Sequence, residues 1–200
     1  MNSPLPKNQF SPEDYLAWEA TQDTKHEYLD GEVFAMVGVK ESHAVVALNL
    51  ATTLRSHLRG SPCQAYISDM KLHVAEENAY SYPDVFVTCD ERDRTPAAEY
   101  FKSHPVVVIE VLSESTAAYD RGRKFASYRK LPTLTEYALI DPDALSVEIF
   151  RRDPTNHWVL YPYGPGERVE FSSVGLSLPI EEIYEGVTLQ SGDTSRAQSS

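Results

Sequence analysis

The sequence predicts an α/β fold in which a mixed β-sheet is flanked by helices and preceded by an N-terminal helix and a β-hairpin. Three observations carry this. Ala44, Ala47, Leu48, Ala51, Leu54 and Leu58 recur at spacings of three and four, which places them on one face of a helix over 42–58. Val106, Val107, Val108 and Ile109 form an apolar run without polar alternation, as in a central strand covered on both faces. Asp30-Gly31 separates two strand-like segments and supplies the positive φ angles that a two-residue type I′ turn needs.

In chain order, the first element is a helix with Ser11 as N-cap and Pro12 at its first position. Asp14 stands third after the cap, Tyr15, Leu16 and Trp18 follow, and the helix ends before Thr24. His26–Leu29 and 32–37 are the strands of the Asp-Gly hairpin. Beyond the long helix, Gln64–Ile67, 70–74, 82–88 and 105–112 read as strands between breakers, with Glu110 closing the last. Residues 116–130 read as one helix, 136–140 and 145–150 as strands around Asp141-Pro142-Asp143, and 158–161 as a further strand.

A chain of 200 residues with 42% apolar and 24% charged side chains fits one domain, assigned to 1–189. The small, polar stretch 190–200 is expected to be a disordered tail. Thirty acidic against 18 basic residues give a net charge of −12, which argues against a general polyanion binder or a membrane-surface protein. Any nucleic-acid contact then needs a local basic patch. Cys63 and Cys89 show neither CxxC spacing nor a neighbouring histidine pair, so neither a zinc site nor a disulfide framework is expected, and a reducing cytoplasm fits. Met1–Lys7 has no apolar core of a signal peptide and no apolar run reaches membrane length, so the chain is expected to be neither exported nor inserted.

Three features carry candidate chemistry. Asp84 precedes the apolar run Val85-Phe86-Val87, and Glu110 closes the most apolar strand. Either carboxylate alone reads equally as a solvated or capping group. Together, attached to the buried part of one sheet, they would repel unless a cation sat between them, an arrangement suited to a hard divalent ion such as Mg²⁺. The third feature is 120–130, where five basic residues and one acidic residue give a local charge of +4. On a helix, Asp120, Lys124 and Tyr128 share a face. The alternative is a solvated basic face with an ordinary Asp120 to Lys124 ion pair.

Pro83-Asp84, then Glu110-Val111-Leu112, then Lys124 on the next helix, resembles the PD-(D/E)XK, or restriction-endonuclease-like, superfamily. More narrowly, the frame runs from His26-Glu27-Tyr28-Leu29-Asp30-Gly31-Glu32 through His43, Ser68-Asp69, Tyr82-Pro83-Asp84-Val85 and Val108–Ser113 to Lys124–Tyr128 and Glu136–Asp141. This order is similar to a large bacterial group labelled restriction endonuclease or domain of unknown function, over about residues 10 to 185.

The resemblance implies a restriction-endonuclease-like mixed sheet and Mg²⁺ or Mn²⁺ held by Asp84, Glu110 and the carbonyl of Val111, with Glu27 as an additional acidic residue. The lysine of the superfamily pattern, two residues after the glutamate, is Leu112 here, so Lys124 takes its place. Leu131 stands where the narrower group commonly has glycine. The implied activity is metal-assisted endonucleolytic hydrolysis of DNA. Lys124 would orient the attacking water or stabilise the transition state, and Arg121, Arg123, Lys124, Arg129 and Lys130 would form the patch that meets DNA phosphates. His43, near the start of the long helix, would support the metal ligands or, the preferred reading, serve as a hydrogen-bonded structural histidine. No membrane partner is expected, and a homodimer is allowed. Two alternatives stay open: a catalytically inactive nucleic-acid-binding or scaffolding module, and a metal-dependent hydrolase of a small phosphorylated substrate.

Overall fold

The computed structural model describes residues 10–189; the expected tail, 190–200, lies outside them. Helix α1 (Pro12–Glu19) starts where Ser11 predicts, in a reciprocal capping box with Asp14. Strands β1 (His26–Leu29) and β2 (Glu32–Ala35) form the hairpin, with φ of 45° at Asp30 and 89° at Gly31, as the type I′ turn requires. Helix α2 (Glu41–His57) follows, then β3 (Gln64–Ile67), β4 (Lys71–Val74), β5 (Ala79–Ser81), β6 (Val85–Thr88), β7 (Phe101–Lys102) and β8 (Pro105–Val111). Next come α3 (Ala117–Tyr119), a π turn (Asp120–Lys124) and α4 (Phe125–Tyr128). The remainder is β9 (Glu136–Asp141), β10 (Ser146–Arg152), β11 (Trp158–Tyr163), β12 (Arg168–Phe171), β13 (Leu176–Pro179) and α5 (Ile180–Ile183).

The strands build a six-stranded sheet in the order β11-β10-β9-β8-β6-β3 and a five-stranded sheet in the order β2-β1-β5-β4-β7, with β12-β13 as a separate hairpin. The α/β expectation of a mixed sheet holds, since β8 and β9 are parallel while β6 and β8 are antiparallel. Strand β8 is interior to the larger sheet, and Val107, Val108 and Ile109 are fully buried, as the unalternated apolar run predicts.

Side-chain alternation sends Val85, Val87, Val107 and Ile109 to one face, where Val46, Leu50 and Leu54 of α2 pack with Ile180 and Ile183 of α5. Phe86 and Val108 point to the other face and pack with Leu72, Val74, Phe125 and Tyr128. Each face therefore owns a core. A third cluster, Tyr15, Tyr28, Val33 and Tyr80, joins α1 to the smaller sheet.

Three expectations need correction. The strand read over 82–88 is shorter, Val85–Thr88, and residues 82–84 link it to β5 in the other sheet, since Pro83 has no N–H to continue a ladder and the chain changes sheet there. The helix read over 116–130 is broken by the π turn into shorter pieces. Cys63 and Cys89 are joined in a disulfide. The register that pairs Gln64 with Thr88 sets their neighbours Cys63 and Cys89 opposite one another, which spacing along the chain does not reveal. The β12-β13 hairpin and α5 were not foreseen. Among the described residues, no helix is long and apolar enough to cross a membrane.

Candidate active site

The change of sheet at Pro83 places Asp84 at the junction of β5 and β6. One step inward, Val85 pairs with Ile109, so Asp84 stands across from Glu110, on the face that also carries Phe86 and Val108. Asp84 Oδ2 accepts a hydrogen bond of 2.7 Å from the Val111 N–H. It also lies 3.3 Å from Nε2 of His43, in the first turn of α2. His43 Nδ1 is buried without a hydrogen-bond partner among the described residues. Burial opposes charging this imidazole, but the Asp84 carboxylate and the Val111 backbone outweigh it and raise its pKa.

Lys124 closes the π turn, and its ammonium is surrounded by carboxylates: 3.0 Å from Glu110 Oε1, 3.4 Å from Glu27 Oε1 and 3.6 Å from Asp120 Oδ1. These charges overcome burial and hold Lys124 firmly protonated. Glu110 is 3% exposed and accepts a hydrogen bond of 2.9 Å from the Tyr128 hydroxyl, which in turn meets Ser81 Oγ at 3.0 Å. Burial pushes the Glu110 pKa up to about 8; Lys124 opposes the rise, and Asp120, Asp84 and Glu27 add to it. Asp120 is raised for the same reason, burial first. Glu27, on β1, accepts 3.2 Å from the Tyr82 N–H. Leu112 lies in the core.

Glu27, Asp84, Glu110, Val111 and Lys124 all line one cleft of about 600 Å³. These five are the site residues that the sequence predicts. Asp120 and Tyr128 join them in the structure, and their four-residue spacing around Lys124 is the sequence signal for it; His43, expected to be structural, lies against Asp84. The basic residues of 120–130 have separate partners. Lys124 faces the cleft, Arg121 pairs with Glu148, Lys130 pairs with Glu77, and the Arg129 guanidinium lies 4.9 Å from the centre of the Phe125 ring. Arg123 is exposed. Among the described residues, no three His, Cys, Asp or Glu side chains form a cluster ready for a metal.

The arrangement supplies two opposed carboxylates, a backbone segment between them and one enclosed cation. That is a set able to bind a hard cation and an anionic reacting group side by side. Comparison with known proteins agrees with this architecture. An uncharacterized Synechocystis protein, slr1290, is 40% identical over 186 residues, spanning 93% of this chain and 96% of its own length. A second from the same organism, sll1609, is 33% identical over 160 residues, 80% of this chain and 90% of its own. The crystal structure of "a putative nuclease belonging to DUF820" from Anabaena variabilis superposes with a TM-score of 0.71 at 18% identity, covering 88% of this chain and 98% of that one, which establishes a shared fold. The family described as "Uma2: Putative restriction endonuclease" matches residues 12–181. Its match runs from α1 through α5, with every residue of the cleft inside it, and the chain therefore belongs to the Uma2 family.

Proposed function

We propose that this chain is a nuclease that hydrolyses DNA phosphodiester bonds with a divalent cation, Mg²⁺ or Mn²⁺. The observation that carries the reading is the meeting of Asp84, Glu110 and Lys124 in one cleft, with the Lys124 ammonium 3.0 Å from Glu110. The descriptions of the family and of the Anabaena protein point the same way.

The residues fit such an ion. The donors are hard oxygens: Glu27, Glu110 and Asp120 surround Lys124, Asp84 lines the same cleft, and burial first, with the charges of Asp120, Asp84 and Glu27 adding to it, brings the Glu110 pKa up to about 8. Mg²⁺ typically takes only one or two protein carboxylates and completes its shell with water and substrate phosphate, so a cluster of three acidic side chains is not needed. Asp84, Glu110 and the carbonyl of Val111 would hold it. When bound, the ion supplies charge neutralisation at the phosphate and acidifies water.

The chain's own residues do the rest. The Val111 N–H and His43 fix the Asp84 carboxylate, and the Tyr128 hydroxyl fixes Glu110. Lys124, kept protonated by its neighbours, offers a positive charge to the non-bridging phosphate oxygens as an oxygen of water bonds to phosphorus and the ester P–O bond breaks. Arg123, exposed and sharing an adjoining depression with Glu27 and Lys124, would meet a flanking phosphate. Incubation of supercoiled plasmid with the purified chain and Mg²⁺ tests the reading: nicking that stops on chelation supports it, and intact plasmid at high enzyme and metal opposes it.

A further inference from the structure

We infer that the substrate of this cleft is single-stranded DNA, held by contact with its bases more than by attraction to its phosphates; the inference rests on the nuclease reading. Two independent observations point there. The first is charge. Five acidic residues line the cleft, Glu27, Asp84, Glu110, Glu114 and Asp120, against two lysines. Lys124 is enclosed by carboxylates, and Lys40 lies 3.6 Å from Asp143. Outside the cleft, Arg121 and Lys130 are paired with Glu148 and Glu77. Of the basic residues of 120–130 this leaves exposed Arg123 and Arg129, fewer than the many lysine and arginine contacts through which duplex DNA is chiefly bound at its dense phosphates.

The second observation is the apolar rim. The loop between β2 and α2 sets Met36, Val37 and Val39 along the cleft, with Val37 58% and Val39 54% exposed. Gly38, between the valines, faces open space. Phe34 and Tyr119 add aromatic surface to the same cleft. Aromatic surface is the usual platform for unpaired bases, whose flat faces any sequence presents, and the exposed valines beside it add apolar contact area. In a duplex those faces are stacked away. A cleft of about 600 Å³ is also on the scale of a small ligand.

The test compares one labelled oligonucleotide, single-stranded and annealed to its complement, cut by the full chain with Mn²⁺. The expected result is a kcat/KM for the single strand at least about tenfold above that for the duplex. The variant carrying both Val37→Ser and Val39→Ser should raise KM for the single strand about tenfold at an unchanged melting curve, since both side chains are largely exposed. A duplex cut as fast as the single strand, or a KM that the double variant does not move, overturns the inference and leaves the nuclease reading standing. Failure to cut either strand form removes both.

Discussion

The Lys124 ammonium lies 3.0 Å from Glu110 Oε1, whereas Leu112, two places after Glu110 along the chain, is buried in the core. The cation thus reaches the carboxylate from the helical segment and not from the strand. The π turn makes this approach possible: it ends at Lys124, and the Asp120 carbonyl at its start accepts 3.0 Å from the Tyr137 hydroxyl. Such wide turns are rare in helices and occur frequently at functional sites.

Lys124→Met should lower turnover about a hundredfold, the cost of losing a positive charge at the transition state. It should also lower stability by about 3 kcal/mol, because three carboxylates lose a buried partner. The pH dependence has a definite sign. With the lysine present, Glu110 already sits at about 8, above the ordinary value near 4.3, and without it the pKa rises further. The contribution of Glu110 to the variant's stability is therefore complete below about pH 4.3 and is lost as pH rises from there through a folded pKa above that of the natural chain, as denaturant titrations across that range will read.

The disulfide ties β3, at the edge of the larger sheet, to β6, closing a separation of 26 residues. Replacing Cys63 and Cys89 with serine should lower unfolding free energy by about 3 kcal/mol, chiefly by freeing the unfolded chain. The cleft lies elsewhere, so activity should persist at temperatures below the variant's melting point. Alkylation and mass spectrometry without reductant will show whether the two thiols are blocked; free thiols in freshly lysed cells would contradict the linkage.

Asp93, 1% exposed, accepts hydrogen bonds of 2.9 Å from the backbone N–H groups of Ser103 and His104 and 2.8 Å from the Thr88 hydroxyl, and it meets His104 Nδ1 at 2.9 Å. Burial works against the charged form, yet these partners bring its pKa below the ordinary value. The folded value lies below the unfolded one, so its contribution is complete above about pH 3.9 and disappears as pH falls through the lower folded pKa. Asp93→Asn should cost about 2 kcal/mol at neutral pH and flatten this acid limb of the stability curve.

Local chemistry made much of this legible. Ser11-Pro12 marked a helix start and Asp30-Gly31 a turn, because caps and positive φ angles are decided by neighbouring residues. The order Glu27, Asp84, Glu110, Lys124 led to residues that line one cleft. What was not legible depends on register or on packing. Cys63 faces Cys89 only through the pairing of β3 with β6. The π turn rests on a tertiary hydrogen bond from Tyr137. In β12 and β13, short strands bury alternate side chains against the α2 core, Val169 and Phe171 facing Leu176 and Leu178, and four-residue strands carry little periodic signal. His43 looked structural because its partner, Asp84, comes from a distant strand junction.

Asp84→Asn tests whether Asp84 and Glu110 together hold the divalent ion on which the proposed DNA hydrolysis depends. The amide keeps an oxygen to accept from the Val111 N–H, so the melting temperature should change little, but it removes the negative charge the ion needs. Calorimetric titration with Mn²⁺ and DNA cleavage, run on the same preparations, should show saturable binding and cutting for the natural chain and neither for the variant. Equal cleavage by both at matched purity, or Mn²⁺ binding that the variant retains in full, would contradict the account.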